Sequence, residues 1–199
     1  LPKYLRSNKE DFKRPRFPYL RDDQAKTEKI RVQLKEFSEG KPVCGIAWRS
    51  INKDLGDYKS IPIAKLFPVL DLKKFEFVNL QYGDVGSEIK GVKDGIGKII
   101  YQAPEIDLFD DFDSSASLIG ACDLIVTSSN TTAHLAGALN KNTILILPFE
   151  AGKFWYWHEE NGCSICYPSI KVFSQSRQGS WDEVIGQVRL YMEKLSFEQ

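Results

Sequence analysis

Short apolar, β-branched runs separated by amphipathic stretches of helix length recur along this chain, and that alternation restricts its fold more than any other feature. Residues 43–48 (VCGIAW), 75–80 (FEFVNL), 98–101, 124–126 (LIV) and 143–147 (TILIL) read as strands apolar on both faces. Between them, Asp22 or Asp23 caps a helix to about Ser38, with Ile30, Leu34 and Phe37 on one face and Gly40 as its stop. Ser60 and Pro62 open a second helix, with Ile63, Leu66 and Leu70 inward. A turn or short helix rich in glycine follows the second strand, and residues 114–121 form a helix with Asp113 as its cap. Another helix starts at Thr131 and stops at Asn140. After a short apolar segment over residues 170–173, Ser180 caps a final helix with Val184, Ile185, Val188, Tyr191 and Leu195 inward. Strand and helix alternate about five times, which predicts an α/β fold: a doubly wound parallel sheet, Rossmann-like, with helices on both faces.

Residues 1–20 break this pattern. They carry Pro2, Pro15 and Pro18 among Lys3, Arg6, Lys9, Lys13, Arg14 and Arg16, and read as a linker or N-terminal arm. Residues 21–199 form the Rossmann-like domain.

In doubly wound sheets, ligands bind beyond the carboxyl ends of the strands. Those ends carry Arg49 and Ser50, then Gln81, Tyr82, Gly83 and Asp84, then residues 127–130 (TSSN), then Pro148 and Phe149. The stretch 123–139 (DLIVTSSNTTAHLAGAL) is the richest: a strand, a tight polar turn and the start of a helix. Such a helix start presents backbone N–H groups without intrahelical partners and the positive end of a macrodipole, which favour phosphate. On the residues alone, Ser129 or Asn130 serves equally well as a simple helix cap, and His134 as a packed side chain.

Several chemistries are excluded or left without support. Lys plus Arg and Asp plus Glu both total 27, so the net charge is zero and the basic footprint of a nucleic-acid binder is missing. No apolar stretch approaches the roughly 20 residues of a membrane span and no secretory signal opens the sequence, so a cytoplasmic protein is expected. Neither a P-loop, nor a G-x-G-x-x-G after the first strand, nor a G-x-S-x-G elbow is present. Asp111 and Asp113 superficially form a D-x-D metal motif, but the second stands where a helix cap is wanted, and no metal is expected. Cys44 and Cys122 sit among apolar residues as core thiols, whereas Cys163 and Cys166 form a C-x-x-C without further zinc ligands at matching spacing.

The runs 43–50 (VCGIAWRS), 58–70 (YKSIPIAKLFPVL), 75–83 (FEFVNLQYG), 111–149 and 167–185 resemble the C-terminal, nucleotide-sugar-binding domain of two-Rossmann (GT-B) glycosyltransferases. They are similar to the heptosyltransferases and to the related domains that follow tetratricopeptide repeats. The resemblance covers roughly residues 18–195. It implies the C-terminal half of a GT-B fold, holding the donor of an inverting, metal-independent glycosyl transfer, with no cofactor beyond the nucleotide-diphosphate sugar itself. Ser129 and Asn130 stand where that family has Asp and Thr in D-T-x-x-x-H, and His134 matches its histidine. The resemblance therefore places donor phosphate on Arg49, Ser50, Lys59, Ser129, Asn130, Thr131, Thr132 and His134, with Gln81, Tyr82 and Asp84 toward the nucleoside. Phe154, Trp155, Tyr156 and Trp157 either stack on the base, face a second domain or fill a lid over the core. The family's general base comes from an N-terminal acceptor domain, so the chain is expected to be half an enzyme partnered by that domain or by a repeat region. The alternatives are a non-catalytic sugar-nucleotide-binding or interaction domain, degenerate at Ser129, and part of another GT-B enzyme such as a sugar-nucleotide epimerase.

Overall fold

A computed structural model describes residues 8–12 and 17–197. Of the expected N-terminal arm, Pro2, Lys3, Arg6, Lys13, Arg14, Pro15 and Arg16 lie outside the described residues, and Lys9 begins a 3-10 turn at Lys9–Phe12.

The strands are β1 (Val43–Ala47), β2 (Glu76–Asn79), β3 (Ile100–Tyr101), β4 (Leu124–Ser128), β5 (Thr143–Leu147), β6 (Glu159–Glu160), β7 (Cys163–Ser164) and β8 (Ile170–Ser174). They form one sheet in the order β3-β2-β1-β4-β5-β8-β7-β6. Six strands run parallel, and in chain order their arrangement is 3-2-1-4-5-6, the dinucleotide-fold order, with β8 as the sixth. The short hairpin β6–β7 adds an antiparallel edge, making the sheet mixed rather than purely parallel. It was not legible because its strands are two residues each, inside a run that reads as an aromatic loop.

The helices are α1 (Gln24–Ser38), α2 (Gly56–Lys59), α3 (Phe67–Leu70), α4 (Gly86–Ile96), α5 (Phe112–Ala121), α6 (Thr131–Ala138) and α7 (Trp181–Lys194). Along β1 and β4 successive side chains enter opposite layers. Cys44, Ile46, Leu124 and Val126 pack with Leu70, Val92, Val184 and Val188 of α3, α4 and α7. Val43, Ala47 and Ile125 pack with Leu34, Leu118 and Ala136 of α1, α5 and α6. Gly45 sits between: a Cβ there would lie 2.4 Å from Leu80 Cδ1 and 3.0 Å from Ile125 Cδ1. A third cluster joins Ala133 of α6 to Leu145, Leu147, Ile170 and Val172 of the sheet under the buried Trp157.

The structure corrects several local expectations. Asp111, not Asp113, caps α5, accepting the Ser114 N–H at 2.9 Å, because the helix starts two residues earlier than its apolar face suggests. The helix expected from Ser60 is a 3-10 turn (Ile63–Leu66) followed by one α turn, with Pro68 at the junction withholding an N–H. Ser180 precedes α7 but makes no side-chain cap bond. The glycine-rich stretch is a regular 11-residue helix, since Ile89 and Val92 give it a buried face and Gly97 ends it in the left-handed region. Cys44 and Cys122 are fully buried, and burial pushes the Cys122 thiol up to about 12.

Candidate functional site

The strand order reverses between β1 and β4, which lie side by side with Ala47 opposite Thr127. Chains leaving these two strands diverge, and the gap between their loops is where such sheets accept ligands. A cleft of about 280 Å³ opens there. Ser50, Lys59, Tyr82, Ser129, Asn130, Thr131 and His134 line it, joined by Ile51, Asn52 and Tyr156, and none of these residues is acidic.

Asn130 shapes the mouth. As N-cap of α6 its Oδ1 accepts the Ala133 N–H at 3.2 Å and the Thr127 hydroxyl at 3.1 Å, while its Nδ2 donates to the Arg49 carbonyl at 3.3 Å. One side chain therefore caps the helix and ties the β1 loop to the β4 loop. The N–H groups of Thr131 and Thr132 have no intrahelical acceptor at these positions. Thr132 points its hydroxyl toward the Leu80 carbonyl and borders a neighbouring apolar hollow formed with Leu80, Leu108, Phe112 and Leu135.

Lys59 enters from the end of α2 and is only 5% exposed. Its Nζ lies 5.0 Å from the centroid of the Phe154 ring, and among the described residues it has no hydrogen bond or ion pair. Burial lowers its pKa. The close approach needs a glycine: Gly152 has φ +85°, and a Cβ there would fall 2.7 Å from Lys59 Cγ. His134 stacks on Trp157 at 4.4 Å and 23°, and its Nδ1 lies 3.3 Å from the Tyr167 hydroxyl. Burial first, and the Lys59 charge second, hold the imidazole below its ordinary pKa, so it is neutral near pH 7. Ser129 is buried, and its Oγ accepts the Trp157 indole N–H at 2.8 Å.

Three other sequence candidates are placed differently. The Arg49 guanidinium turns away from the cleft to Glu88 (3.1 Å) and the Asp84 carbonyl. Gln81 is buried, its Oε1 accepting the Trp48 and Arg49 N–H groups at 2.9 and 2.8 Å, which ties the end of β2 to the end of β1. Asp84 accepts the Gly86 N–H at 3.1 Å at the start of α4. The sequence reading missed Tyr167, Asn52 and Glu88. Tyr167 directly follows the C-x-x-C, but its reach to His134 depends on the hairpin that could not be foreseen. Of the aromatic run, Trp157 is fully buried and Tyr156 lines the cleft, whereas Trp155 is 71% exposed. Among the described residues no cluster of His, Cys, Asp and Glu is arranged to hold a metal ion, and no helix is long and apolar enough to cross a membrane.

No family model matches the chain. Protein FlbA of Caulobacter vibrioides is 31% identical over 190 residues, covering 92% of this chain and 30% of FlbA. Among solved structures, the E. coli ADP-heptose LPS heptosyltransferase II superposes with a TM-score of 0.61 at 17% identity, covering 94% of this chain and 57% of that one. The E. coli heptosyltransferase WaaC, solved with ADP, superposes with a TM-score of 0.51 at 15% identity, over 75% of this chain and 43% of that one. The chain thus spans under a third of the curated relative and about half of each solved enzyme. Over that half, it has the α/β fold of the GT-B heptosyltransferases.

Proposed function

We propose that this chain is the donor-binding, C-terminal half of a GT-B glycosyltransferase, holding the diphosphate of a nucleotide sugar at the head of α6. Lys59 carries the reading. A lysine whose side chain is buried except where it meets the cleft, with an aromatic face beside its ammonium and no acidic residue lining that cleft, is a charge whose counter-ion comes from outside the protein. The free N–H groups of α6 converge on the same space. That WaaC has been solved with ADP and with ADP-2-deoxy-2-fluoro heptose supports a nucleoside diphosphate as the anion.

In this reading the diphosphate lies between Lys59, Ser50, Thr131 and His134, and the nucleoside extends toward Tyr82. As the anomeric bond breaks, negative charge grows on the departing diphosphate, and the lysine and helix amides stabilise it without a metal. The acceptor hydroxyl attacks from the opposite sugar face, with inversion. Its base belongs to an N-terminal acceptor-binding domain of a longer, cytoplasmic protein.

A second reading, a sugar-nucleotide-binding module without turnover, is favoured by one observation: the Ser129 oxygen is occupied by Trp157, where the resembling enzymes keep a carboxylate. A thermal-shift panel of ADP, UDP, GDP and their sugars tests the shared claim. At least one should stabilise the protein, and the double variant Lys59→Ala/His134→Ala should lose most of the shift. Indifference to the whole panel would reject both readings, and a ligand bound but never turned over in the longer protein would favour the module.

A further inference from the structure

His134 and Tyr167 form a pair whose geometry bears on where the imidazole proton sits. A Cβ at Gly137 would lie 2.5 Å from Tyr167 Cγ, so the glycine one turn after His134 is what lets the tyrosine ring lie against α6. From that seat the phenol reaches His134 Nδ1 at 3.3 Å, its sole hydrogen-bond partner among the described residues. On the other side, Trp157 is pinned by its indole N–H to Ser129 at 2.8 Å and lies nearly parallel to the imidazole, 4.4 Å away. The ring is held flat by one aromatic and addressed at one nitrogen by another.

A neutral imidazole carries one N–H and one bare nitrogen, and the hydrogen bond at one position decides the other. A phenol is a better donor than acceptor, and Nδ1 is the acceptor that the described residues offer it. With the Tyr167 O–H donated to Nδ1, the imidazole proton resides on Nε2, which has no partner among the described residues on a side chain that lines the cleft.

We propose that Tyr167 and Trp157 are positioning residues, the tyrosine locking His134 in the Nε2–H tautomer and the tryptophan fixing the plane of its ring, which make it a neutral hydrogen-bond donor to an anionic oxygen in the cleft. The idea rests on reading that cleft as a diphosphate site. Division of labour follows from it: Lys59 supplies the charge and His134 supplies direction. An imidazole free to choose its tautomer would present a lone pair to phosphate part of the time and repel it.

The tautomer can be read without any ligand, from long-range proton–nitrogen correlation spectra of ¹⁵N-histidine-labelled protein above the imidazole titration range. Wild type should show a single Nε2–H form for His134, and Tyr167→Phe, which keeps the ring on Gly137, should show a mixture. Inorganic pyrophosphate is the binding probe. Tyr167→Phe should weaken it about three- to tenfold, and the same substitution should have no effect in a His134→Gln background, whose amide donor needs no tautomer. An Nδ1–H form in wild type overturns the proposal, as does an equal loss on Tyr167→Phe in both backgrounds, which would mark the tyrosine as mere packing. If wild type ignores pyrophosphate, the diphosphate reading falls, and the spectra of wild type and Tyr167→Phe alone decide whether the tautomer is locked.

Discussion

Lys59 is held in a position that disfavours its own charge. Its neighbours are the Phe154 ring and the Gly152 backbone rather than a carboxylate, and burial lowers its pKa. Binding sites often keep such groups at the expense of stability. Lys59→Met, similar in length and apolar, should therefore raise the stability of the free protein by about 0.5–2 kcal/mol. For a domain of this size that is a melting-point rise of about 2–4 °C per kcal/mol. The same variant should lose pyrophosphate binding. Calorimetric melting with and without the ligand checks both halves, and a variant that melts lower yet still binds would show Lys59 to be structural. The lysine was legible in sequence only through alignment with a family motif; nothing in its own neighbourhood marks it as buried. Arg49 is the converse case. It stands at the carboxyl end of β1 as a ligand residue should, yet Glu88, 39 positions later in the sequence, captures it. Local pattern carries no information about such a distant partner.

The elements explain why the loops can be this specific. Each central strand of β1, β4 and β5 is buried along its whole length, so register is fixed by apolar side chains entering two layers, and a one-residue slip would exchange them. Gly45 tests this tightness. Substitution to valine would drive a branched side chain into Leu80 and Ile125, which lie 2.4 and 3.0 Å from the first atom to be added. Overpacking of this kind costs about 1–3 kcal/mol. Gly45→Val should lower the urea midpoint accordingly while leaving pyrophosphate affinity of the folded fraction unchanged, because the cleft begins beyond the strand end. An unchanged midpoint would mean that the two layers yield more easily than the contacts imply. Long apolar strands and capped helices were readable because periodicity and cap chemistry are local. The two-residue strands β6 and β7 were not, since tertiary packing decides them, whereas the 3-10 turn before α3 and the cap at Asp111 turn on local details, Pro68 and a choice between two neighbouring aspartates, that the apolar pattern does not resolve.

On the scale of the molecule, charge is balanced overall but not locally. The 27 basic and 27 acidic side chains cancel, so there is no net charge to draw an anion in. The attraction at the cleft has to come from Lys59 and from the fixed partial charges at the head of α6. Binding linked to folding makes this measurable. At pyrophosphate concentrations about 100-fold above Kd, unfolding should cost about 2.7 kcal/mol more, with the slope against urea unaltered because the surface exposed on unfolding is the same. Added salt should reduce that increment, since screening weakens a half-open charge pair. In Lys59→Met any residual increment should depend less steeply on salt, because only the partial charges of helix amides and neutral side chains remain. A salt dependence as steep in the variant as in the parent would move the anion away from Lys59 to exposed lysines elsewhere, and with it the assignment of the cleft between β1 and β4.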